Sequence, residues 1–241
     1  MNPYETNKLV EEYLLFHYGS PDEVLPYKDG PTGALGFAVR SVTEMLDVDS
    51  PRSRALDLGC AVGRSSFELS KFCGEVIGID YSKAFVEAAA RLQRGENVVY
   101  RRLEEGSVST ELQARLPENA KGDVVSFECG DAMDLRADLG QFDLVHAANL
   151  ICRLSEPQKL LVRLPELVRS GGELVLTTPC TWLGEFTPPE NWPAGKTIDW
   201  LVAELGGAFD LVETRDLPFL IREHARKFQW SVAQGSLWRR R

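Results

Sequence analysis

From residue 53 onward, short apolar runs alternate with amphipathic ones, and this alternation limits the possible folds more than any other feature of the chain. Five runs have the length and apolar content of buried strands: RALDL, EVIGID, DVVSFECGDA, FDLVHAANL and GGELVLTTP. Between them, helical spacing is found in GRSSFELSKF, in SKAFVEAAARLQ with Ser82 as its expected N-cap, and in PQKLLVRLPELVR. Strands that alternate with helices form βαβ units, so the sequence predicts an α/β fold with a parallel sheet and helices on both faces.

Residues 1–50 precede this alternation and predict an N-terminal helical cap, whereas residues 51–241 form the main domain. Within the cap, apolar residues at helical spacing predict one helix over about 4–18 and a second over about 33–47. The stretch GSPDEVLPYKDGP between them is punctuated by proline and glycine and predicts a loop.

Two parts of the main domain depart from the simple alternation. Residues 97–122 are polar and longer than an ordinary connection, which predicts an inserted hairpin or helix on the surface. After a loop rich in proline and tryptophan, we expect a helix near 196–206, a strand near 208–216 and a last strand in KFQWSVAQGSLWRR. The closing run WRRR is interpreted as a solvated tail rather than a nucleic-acid-binding arm.

Charge and cysteine content narrow the classes of function. The 241 residues carry a formal net charge of −9, whereas a protein that binds nucleic-acid phosphates normally presents a basic face. The five cysteines are scattered and form no CxxC pair, which favours reduced thiols in a cytoplasmic protein. The N-terminal run lacks the pattern of a signal peptide, and no apolar run reaches the ~20 residues that a membrane span needs. We therefore expect neither nucleic acid nor a membrane as a partner.

A glycine turn follows the first predicted strand in the run LDLGCAVG. Such a turn at the carboxyl end of a strand lets a ligand approach the backbone closely. Gly59 and Gly63 give the pattern D-x-G-x-x-x-G, with Ala61 where a dinucleotide fingerprint would need its second glycine. A carboxylate at Asp57 would repel a diphosphate but suits a cationic ligand that bears an ammonium and a sulfonium.

Two further predicted strands also end at aspartates. Asp80 closes EVIGID and is placed to accept hydrogen bonds from two ribose hydroxyls. Asp131 in CGDAM could accept from the exocyclic amine of an adenine, with Ala132 and Met133 beside the ring. An ordinary helix N-cap or turn remains the alternative role for these aspartates.

Acidic ends on three successive strands, together with the glycine turn, resemble the class I S-adenosylmethionine-dependent methyltransferases over about residues 53–216. The resemblance implies a Rossmann-like sheet, S-adenosylmethionine as the cofactor and no metal. The predicted cofactor-binding residues are Asp57, Gly59, Cys60, Gly63, Arg64, Asp80, Tyr81, Asp131, Ala132, Met133 and His146.

A narrower resemblance extends over nearly the whole chain. NPYETNKLVEEYLLFHYG, GALGFAVR, CRLSEPQKLL and HARKFQWSVAQGSLWRR are similar to the 5-thiohistidine (4-mercaptohistidine) N1-methyltransferases of ovothiol biosynthesis. The resemblance implies methyl transfer to an imidazole nitrogen of 5-thiohistidine, the last step of ovothiol A biosynthesis. That family is often fused to an iron-dependent sulfoxide synthase, which needs a histidine cluster. Only His17, His146 and His224 occur here, so a separate sulfoxide synthase is a candidate partner, and the chain is either a stand-alone enzyme or an excised domain.

Methylation of a neutral imidazole nitrogen needs alignment more than acid–base help, because the nitrogen already carries its lone pair. The pocket must also turn the more nucleophilic thiol away from the methyl group. The predicted catalytic residues are Asn149, His17 and Tyr18, and the predicted substrate-binding residues are Tyr4, Asn149, Arg153, Trp182 and Gln229. Packing in the core remains the alternative for His17 and Trp182.

Other functions stay open at this point. The same cofactor site would serve methylation of another small acceptor, such as a histidine-like compound, a carboxylate or a thiol. A methyltransferase-like domain without activity could instead serve as a binding module. A nucleic-acid methyltransferase is disfavoured, because HAANL stands where an N/D-P-P-Y/F signature would follow the fourth strand.

Overall fold

The computed structural model describes residues 3–241 and contains a seven-stranded sheet. The strand order is β5-β2-β1-β6-β7-β9-β8, and β9 alone runs antiparallel to the other six strands. Its strands are β1 (Arg52–Leu58), β2 (Cys73–Asp80), β5 (Val125–Cys129), β6 (Phe142–Ala148), β7 (Val168–Thr178), β8 (Phe209–His224) and β9 (Lys227–Arg240). The predicted α/β fold is confirmed, and the predicted parallel sheet is parallel except for β9.

Helices cover both faces of this sheet. On one face lie α4 (Arg64–Leu69) and α5 (Lys83–Gln93), and on the other lie α6 (Pro157–Leu167) and α7 (Thr197–Leu205). The side chain of Ser82 caps α5 as the sequence predicts, since it accepts a hydrogen bond from the Phe85 amide at 3.2 Å. Each face of the sheet therefore has its own apolar core.

The N-terminal segment forms α1 (Asn7–Tyr18), α2 (Pro21–Val24) and α3 (Phe37–Thr43). The helix expected over about 33–47 is shorter, because Gly36 has a left-handed backbone with φ of 65° at its start. The expected loop after residue 18 contains α2, since Ser20 and Glu23 form a reciprocal capping box.

Residues 97–122 contain an antiparallel hairpin of β3 (Val98–Glu105) and β4 (Val108–Ala114), which matches the first of the two predicted alternatives. The strand expected near 208–216 is longer, because its second half continues to pair with β9. This extension brings Arg222 to Glu104 of β3, with Nη2 and Oε2 2.6 Å apart. The hairpin and the long edge strand thus support each other.

The closing arginines are not a solvated tail. They belong to β9 or flank it: Trp238 is buried, and the Arg240 guanidinium lies over the Phe209 ring. Arg241 pairs with Asp210 at 2.8 Å. Over residues 3–241, no helix is both long and apolar enough to cross a membrane.

Candidate functional site

The carboxyl edge of the parallel strands concentrates unusual backbone conformations. Ala61, Asn149 and Cys180 have φ values of 47°, 53° and 53°, and they follow β1, β6 and β7. Residues other than glycine rarely adopt these conformations, and such strain clusters at functional sites. This edge is therefore the candidate site.

The glycine turn after β1 adopts the close-packed form that the sequence predicts. Gly59 and Gly63 have φ of 68° and 84°. A Cβ added at Gly63 would lie 2.7 Å from the Phe127 ring, and one at Gly59 would lie 3.0 Å from Leu150. A side chain at either glycine would thus meet both an unfavourable backbone conformation and a close neighbour. Ala61 also has a left-handed backbone, but it retains its methyl group.

Asp80 ends β2 and faces the glycine turn. One carboxylate oxygen accepts from the Ala61 amide and the other from the Ser82 amide, each at 2.8 Å. Burial is the main cause that raises the pKa of Asp80 to about 6; the carboxylates of Asp57 and Glu5 act in the same direction, and the two amide hydrogen bonds oppose them. The carboxylate stands beside the turn, where its predicted ribose-binding role remains a prediction.

Asp57 lies beneath the same turn in a buried hydrogen-bonded chain. One carboxylate oxygen is 2.8 Å from His146 Nδ1, and the other accepts from the Ser66 hydroxyl at 2.6 Å. The second ring nitrogen of His146 is 3.2 Å from the Ser41 hydroxyl on α3. All four residues are at most 1% exposed.

The ring of His146 is fully buried behind Asp57, and its predicted contact with the cofactor remains a prediction. Asp57 itself is 1% exposed, and both of its carboxylate oxygens have hydrogen-bond partners, so its predicted cofactor-binding role remains a prediction. The chain links the cap helix α3 to β6, β1 and α4.

The third acidic strand end forms a tight turn. Asp131 accepts from the Met133 amide at 2.8 Å through its side chain. Ala132 and Met133 line an open pocket of about 450 Å³ against α6. Whether Asp131 receives an adenine amine remains a prediction.

The other predicted cofactor residues occupy different environments. The Cys60 thiol is buried, and burial raises its pKa well above the ordinary value. Arg64 begins α4 and pairs with Glu68 at 3.0 Å. Tyr81 follows Asp80 and is 65% exposed. Because Cys60 is buried, its predicted contact with the cofactor would have to be made through its backbone.

The N-terminal segment lies across the ends of the strands. The Tyr4 carbonyl accepts from the Ser82 hydroxyl at 2.9 Å. The Glu5 carboxylate accepts from the Lys83 amide at 2.8 Å, at the start of α5. The first residues of the described chain are thereby attached to the loop after β2.

Arg153, in the loop after β6, meets this segment from the other side. Its side chain hydrogen-bonds the Tyr4 hydroxyl, and its guanidinium lies 4.9 Å from the centre of the Phe186 ring. Nη1 also donates to the Thr181 carbonyl at 3.1 Å. Burial raises the pKa of Tyr4, against the opposing effect of Arg153. The predicted substrate residues Tyr4 and Arg153 are thus in contact.

Asn149 occupies the first position after β6 and is held by β7. Its amide nitrogen in the backbone donates to the Thr177 carbonyl at 2.9 Å. Its side-chain oxygen accepts from the Thr177 hydroxyl at 2.9 Å. The side-chain NH₂ group has no hydrogen bond among the residues that the structure describes, so it can donate to a ligand.

His17 and Tyr18 lie on α1 over the glycine turn. The Tyr18 hydroxyl donates to the Val62 carbonyl at 2.7 Å, which ties α1 to the turn. Burial, together with the charge of Arg64, lowers the pKa of His17 to about 3. His17 Nδ1 is buried and has no partner within residues 3–241. His17 is therefore neutral, and its catalytic role remains a prediction.

The side chains of two predicted substrate residues are engaged by other parts of the protein, and their role in substrate binding remains a prediction. Trp182 packs edge-on against Trp200, and its indole nitrogen donates to the Thr197 hydroxyl at 3.0 Å, so it contacts α7. Gln229 is exposed on the β8–β9 hairpin and donates to Glu223 at 2.9 Å. Gln229 pairs with β8 but lies outside the part of β9 that pairs with β7. The alternation of side chains along a strand does not reveal where that pairing ends.

Several residues of the site escaped the sequence analysis: Ser41, Ser66, Thr177 and Phe186. Ser66 offered a signal, since it is a polar residue in a short helix that follows the glycine turn. The others carried none, because their partners come from distant parts of the chain.

Comparisons with known proteins agree with this geometry. Residues 56–176, half of the chain, match the family model described as "Methyltransferase domain". The chloroplastic tocopherol O-methyltransferase of Arabidopsis thaliana is 25% identical over 189 residues, which cover 73% of this chain and 47% of that protein. The chain spans less than half the length of the curated relatives it matches.

Solved structures share the fold. The N-methyltransferase NodS from Bradyrhizobium japonicum WM9, solved with S-adenosyl-L-homocysteine, has a TM-score of 0.55 at 16% identity, covering 96% of this chain and 98% of its own. Magnesium protoporphyrin IX methyltransferase from Synechocystis PCC 6803, solved with bound S-adenosylmethionine, has a TM-score of 0.55 at 18% identity over both whole chains.

Proposed function

The chain belongs to the methyltransferase domain family, and on that premise we propose that it transfers a methyl group from S-adenosylmethionine to an imidazole nitrogen of 5-thiohistidine, the last step of ovothiol A biosynthesis. At the coarser level it is a methyltransferase enzyme that uses S-adenosylmethionine and acts on a small molecule. The observation that carries the substrate proposal is the contact of Tyr4 with Arg153, which lies in the same loop after β6 as Asn149.

The cofactor would lie along the carboxyl edge of the sheet. Gly59 and Gly63 let it approach the backbone, and Asp80 would accept from its ribose hydroxyls. Asp131 would receive the adenine amine, with the ring beside Ala132. The residues fit this ligand, since its buried hydroxyl and amine donors would each have a carboxylate acceptor nearby.

The acceptor would lie between the N-terminal segment and the loops after β6 and β7. The Arg153 guanidinium, stacked on Phe186, suits a carboxylate, which it can bind with two parallel hydrogen bonds. The free NH₂ group of Asn149 can donate to the imidazole or the sulfur and so fix which atom faces the methyl group. An amino acid with an imidazole side chain matches this arrangement of donors.

The chemistry requires little from the side chains beyond alignment. The nitrogen lone pair forms the new C–N bond while the S–CH₃ bond breaks and its electron pair stays on the departing sulfur. Burial raises the pKa of Tyr4 and Tyr18 and lowers that of His17, so these side chains stay neutral. With no charged base among these three side chains, the ring nitrogen attacks in its uncharged form, and the approach geometry supplies the rate.

The test is direct: the purified protein is incubated with S-adenosylmethionine and 5-thiohistidine, and the products are analysed by mass spectrometry and NMR. We expect a product that is one methylene heavier, with the new methyl group on a ring nitrogen. Parallel incubations contain histidine, a phenol and a simple thiol. Faster methylation of any of these, or methylation at sulfur, would refute the substrate proposal while leaving the methyltransferase activity in place.

Asn149→Gly separates the substrate role from the cofactor role. Glycine tolerates the φ of 53° at this position, so the change removes the amide without imposing backbone strain. We expect unchanged affinity for S-adenosylhomocysteine by calorimetry and a lower turnover. A loss of cofactor affinity instead would contradict the placement of Asn149 on the acceptor side.

A further inference from the structure

A second pocket lies away from the carboxyl edge of the sheet, between α1, the β3–β4 hairpin and the extended end of β8. Its volume is about 270 Å³. Its lining mixes charges of both signs with serines and leucines: Lys8, Glu11, Glu12, Leu15, Arg101, Arg102, Leu103, Ser107, Ser109, Arg222 and Glu223. The proposed methyl transfer uses none of these residues.

Arg222 is a buried guanidinium in the wall of this pocket, with an exposed fraction of 4%. Nη1 donates to the Glu23 carbonyl at 2.9 Å, and Nη2 donates to Glu104 at 2.6 Å. Nε is buried and has no hydrogen-bond partner in the described part of the chain. Because buried donors are almost always paired, this N–H points to a missing acceptor.

The charges around Arg222 favour an anionic acceptor. Arg102 binds the same Glu104 carboxylate, with Nη2 and Oε1 2.6 Å apart, so two guanidiniums share one negative charge. Burial lowers the pKa of Arg222, and the neighbouring charge of Arg102 lowers it further. Arg101 lies 3.9 Å from Glu11 in a loose pair and is largely exposed at the rim. A carboxylate on Arg222 Nε would give the two guanidiniums that meet at Glu104 one carboxylate each.

The facing wall offers a complementary negative group. Glu12 on α1 is partly buried and has no hydrogen bond or ion pair among residues 3–241. Burial raises its pKa, against the charges of Lys8 and Lys227, and the nearby Glu223 adds to the rise. Glu223 itself is paired with Lys227 at 2.7 Å. Glu12 is therefore an acceptor without a donor, and a phosphate dianion would be repelled by it.

We propose that this pocket binds a free α-amino acid. Its carboxylate accepts from Arg222 Nε with Arg101 at the rim, and its ammonium donates to Glu12. The apolar surfaces of Leu15 and Leu103 contact its side chain. One ligand then satisfies both unpaired groups, which neither a simple anion nor a simple cation can do.

The experiment uses three probes on the full chain, with binding followed by ¹H–¹⁵N NMR. L-leucine carries both charges, 4-methylpentanoate lacks the ammonium, and 3-methylbutylamine lacks the carboxylate. L-leucine is expected to shift the amides of Leu103 and Ser107 and to bind at least about tenfold more tightly than either analogue, since each loses one charge-assisted hydrogen bond. Equal binding of 4-methylpentanoate, or no shift with any probe, would overturn the proposal.

Glu12→Gln removes the acceptor charge without changing the size of the side chain. It is expected to weaken L-leucine binding by about tenfold and to leave 4-methylpentanoate binding unchanged or stronger. Glu87→Gln, the same substitution on the exposed face of α5, is the matched control and should change neither. An equal effect of the two substitutions would show that only the net charge matters and would refute the site.

Discussion

The raised pKa of Asp80 predicts how cofactor affinity depends on pH. Burial raises this pKa from an ordinary value of 3.8 to about 6, so at pH 5 the side chain is about nine-tenths protonated. A protonated carboxyl is a poor acceptor for two ribose hydroxyls. Affinity for S-adenosylhomocysteine should therefore be constant above about pH 7 and fall as the pH drops through 6, by up to about tenfold at pH 5. That change corresponds to ~1.4 kcal/mol.

The same pKa shift affects the stability of the free protein. The folded chain holds this proton more tightly than the unfolded chain, so the contribution of Asp80 to stability is complete below pH 3.8 and is lost as the pH rises through about 6. A ligand that donates hydrogen bonds to the carboxylate offsets this loss. The rise in melting temperature with S-adenosylhomocysteine should accordingly be larger at pH 7.5 than at pH 5.

Isothermal titration calorimetry at pH 5, 6 and 7.5 measures the effect, with Asp80→Asn as the comparison. The variant should bind S-adenosylhomocysteine more weakly at pH 7.5. The NH₂ group of the asparagine would face the backbone N–H of Ala61 or of Ser82, so two donors would oppose each other. Its affinity should no longer depend on pH in this range. A flat profile in the unmodified protein, or an unchanged slope in the variant, would refute the assignment of the carboxylate to the ribose.

Three further predictions concern single residues. Gly63→Ala should destabilise the protein by ~1–3 kcal/mol more than Gly106→Ala in urea unfolding: both have positive φ, but only the first new Cβ would overlap a phenylalanine ring, at 2.7 Å. Ser66→Ala leaves one oxygen of the buried Asp57 unpaired and should cost about 1–3 kcal/mol of unfolding free energy. Arg153→Lys should raise KM for the acceptor by about tenfold, since lysine cannot form the paired hydrogen bonds, and should leave the affinity for S-adenosylhomocysteine unchanged.

Each of these has its own check. Equal losses for the two glycine variants would show that strain alone, and not the overlap, decides the effect. For the serine, Ser170→Ala on an exposed part of β7 is the control and should be nearly neutral. For Arg153→Lys, a loss of affinity for S-adenosylhomocysteine would show that Arg153 contacts the cofactor and would refute its role in binding the acceptor.

The strands and helices of the main domain were largely predictable from the sequence. A parallel strand buried on both faces must be a short apolar run, and the helix that returns the chain must be amphipathic, so local patterns carry the information. The segment 33–47 shows the limit: its apolar spacing was helical, but Gly36 starts the helix late. The first and last residues of a helix depend on the backbone angles of a few residues, and the spacing of apolar residues does not reveal those angles.

The position of the candidate site at the carboxyl edge of the sheet was predictable for a related reason. The carboxyl ends of parallel strands meet at one edge, so Asp57, Asp80 and Asp131 must gather there wherever the helices run. What each aspartate does there was not predictable. Asp57 is paired below the turn, whereas Asp80 faces it, and the difference comes from His146 on a different strand.

By itself, then, the order of apolar runs and acidic strand ends determined the sheet and the place of the site. The tertiary structure alone decided which polar side chains meet: Ser41 with His146 across 105 residues, and Arg153 with Tyr4. Local periodicity reports only which face of an element is apolar. Contacts between distant elements depend on how those faces pack, and no pattern within one segment encodes them.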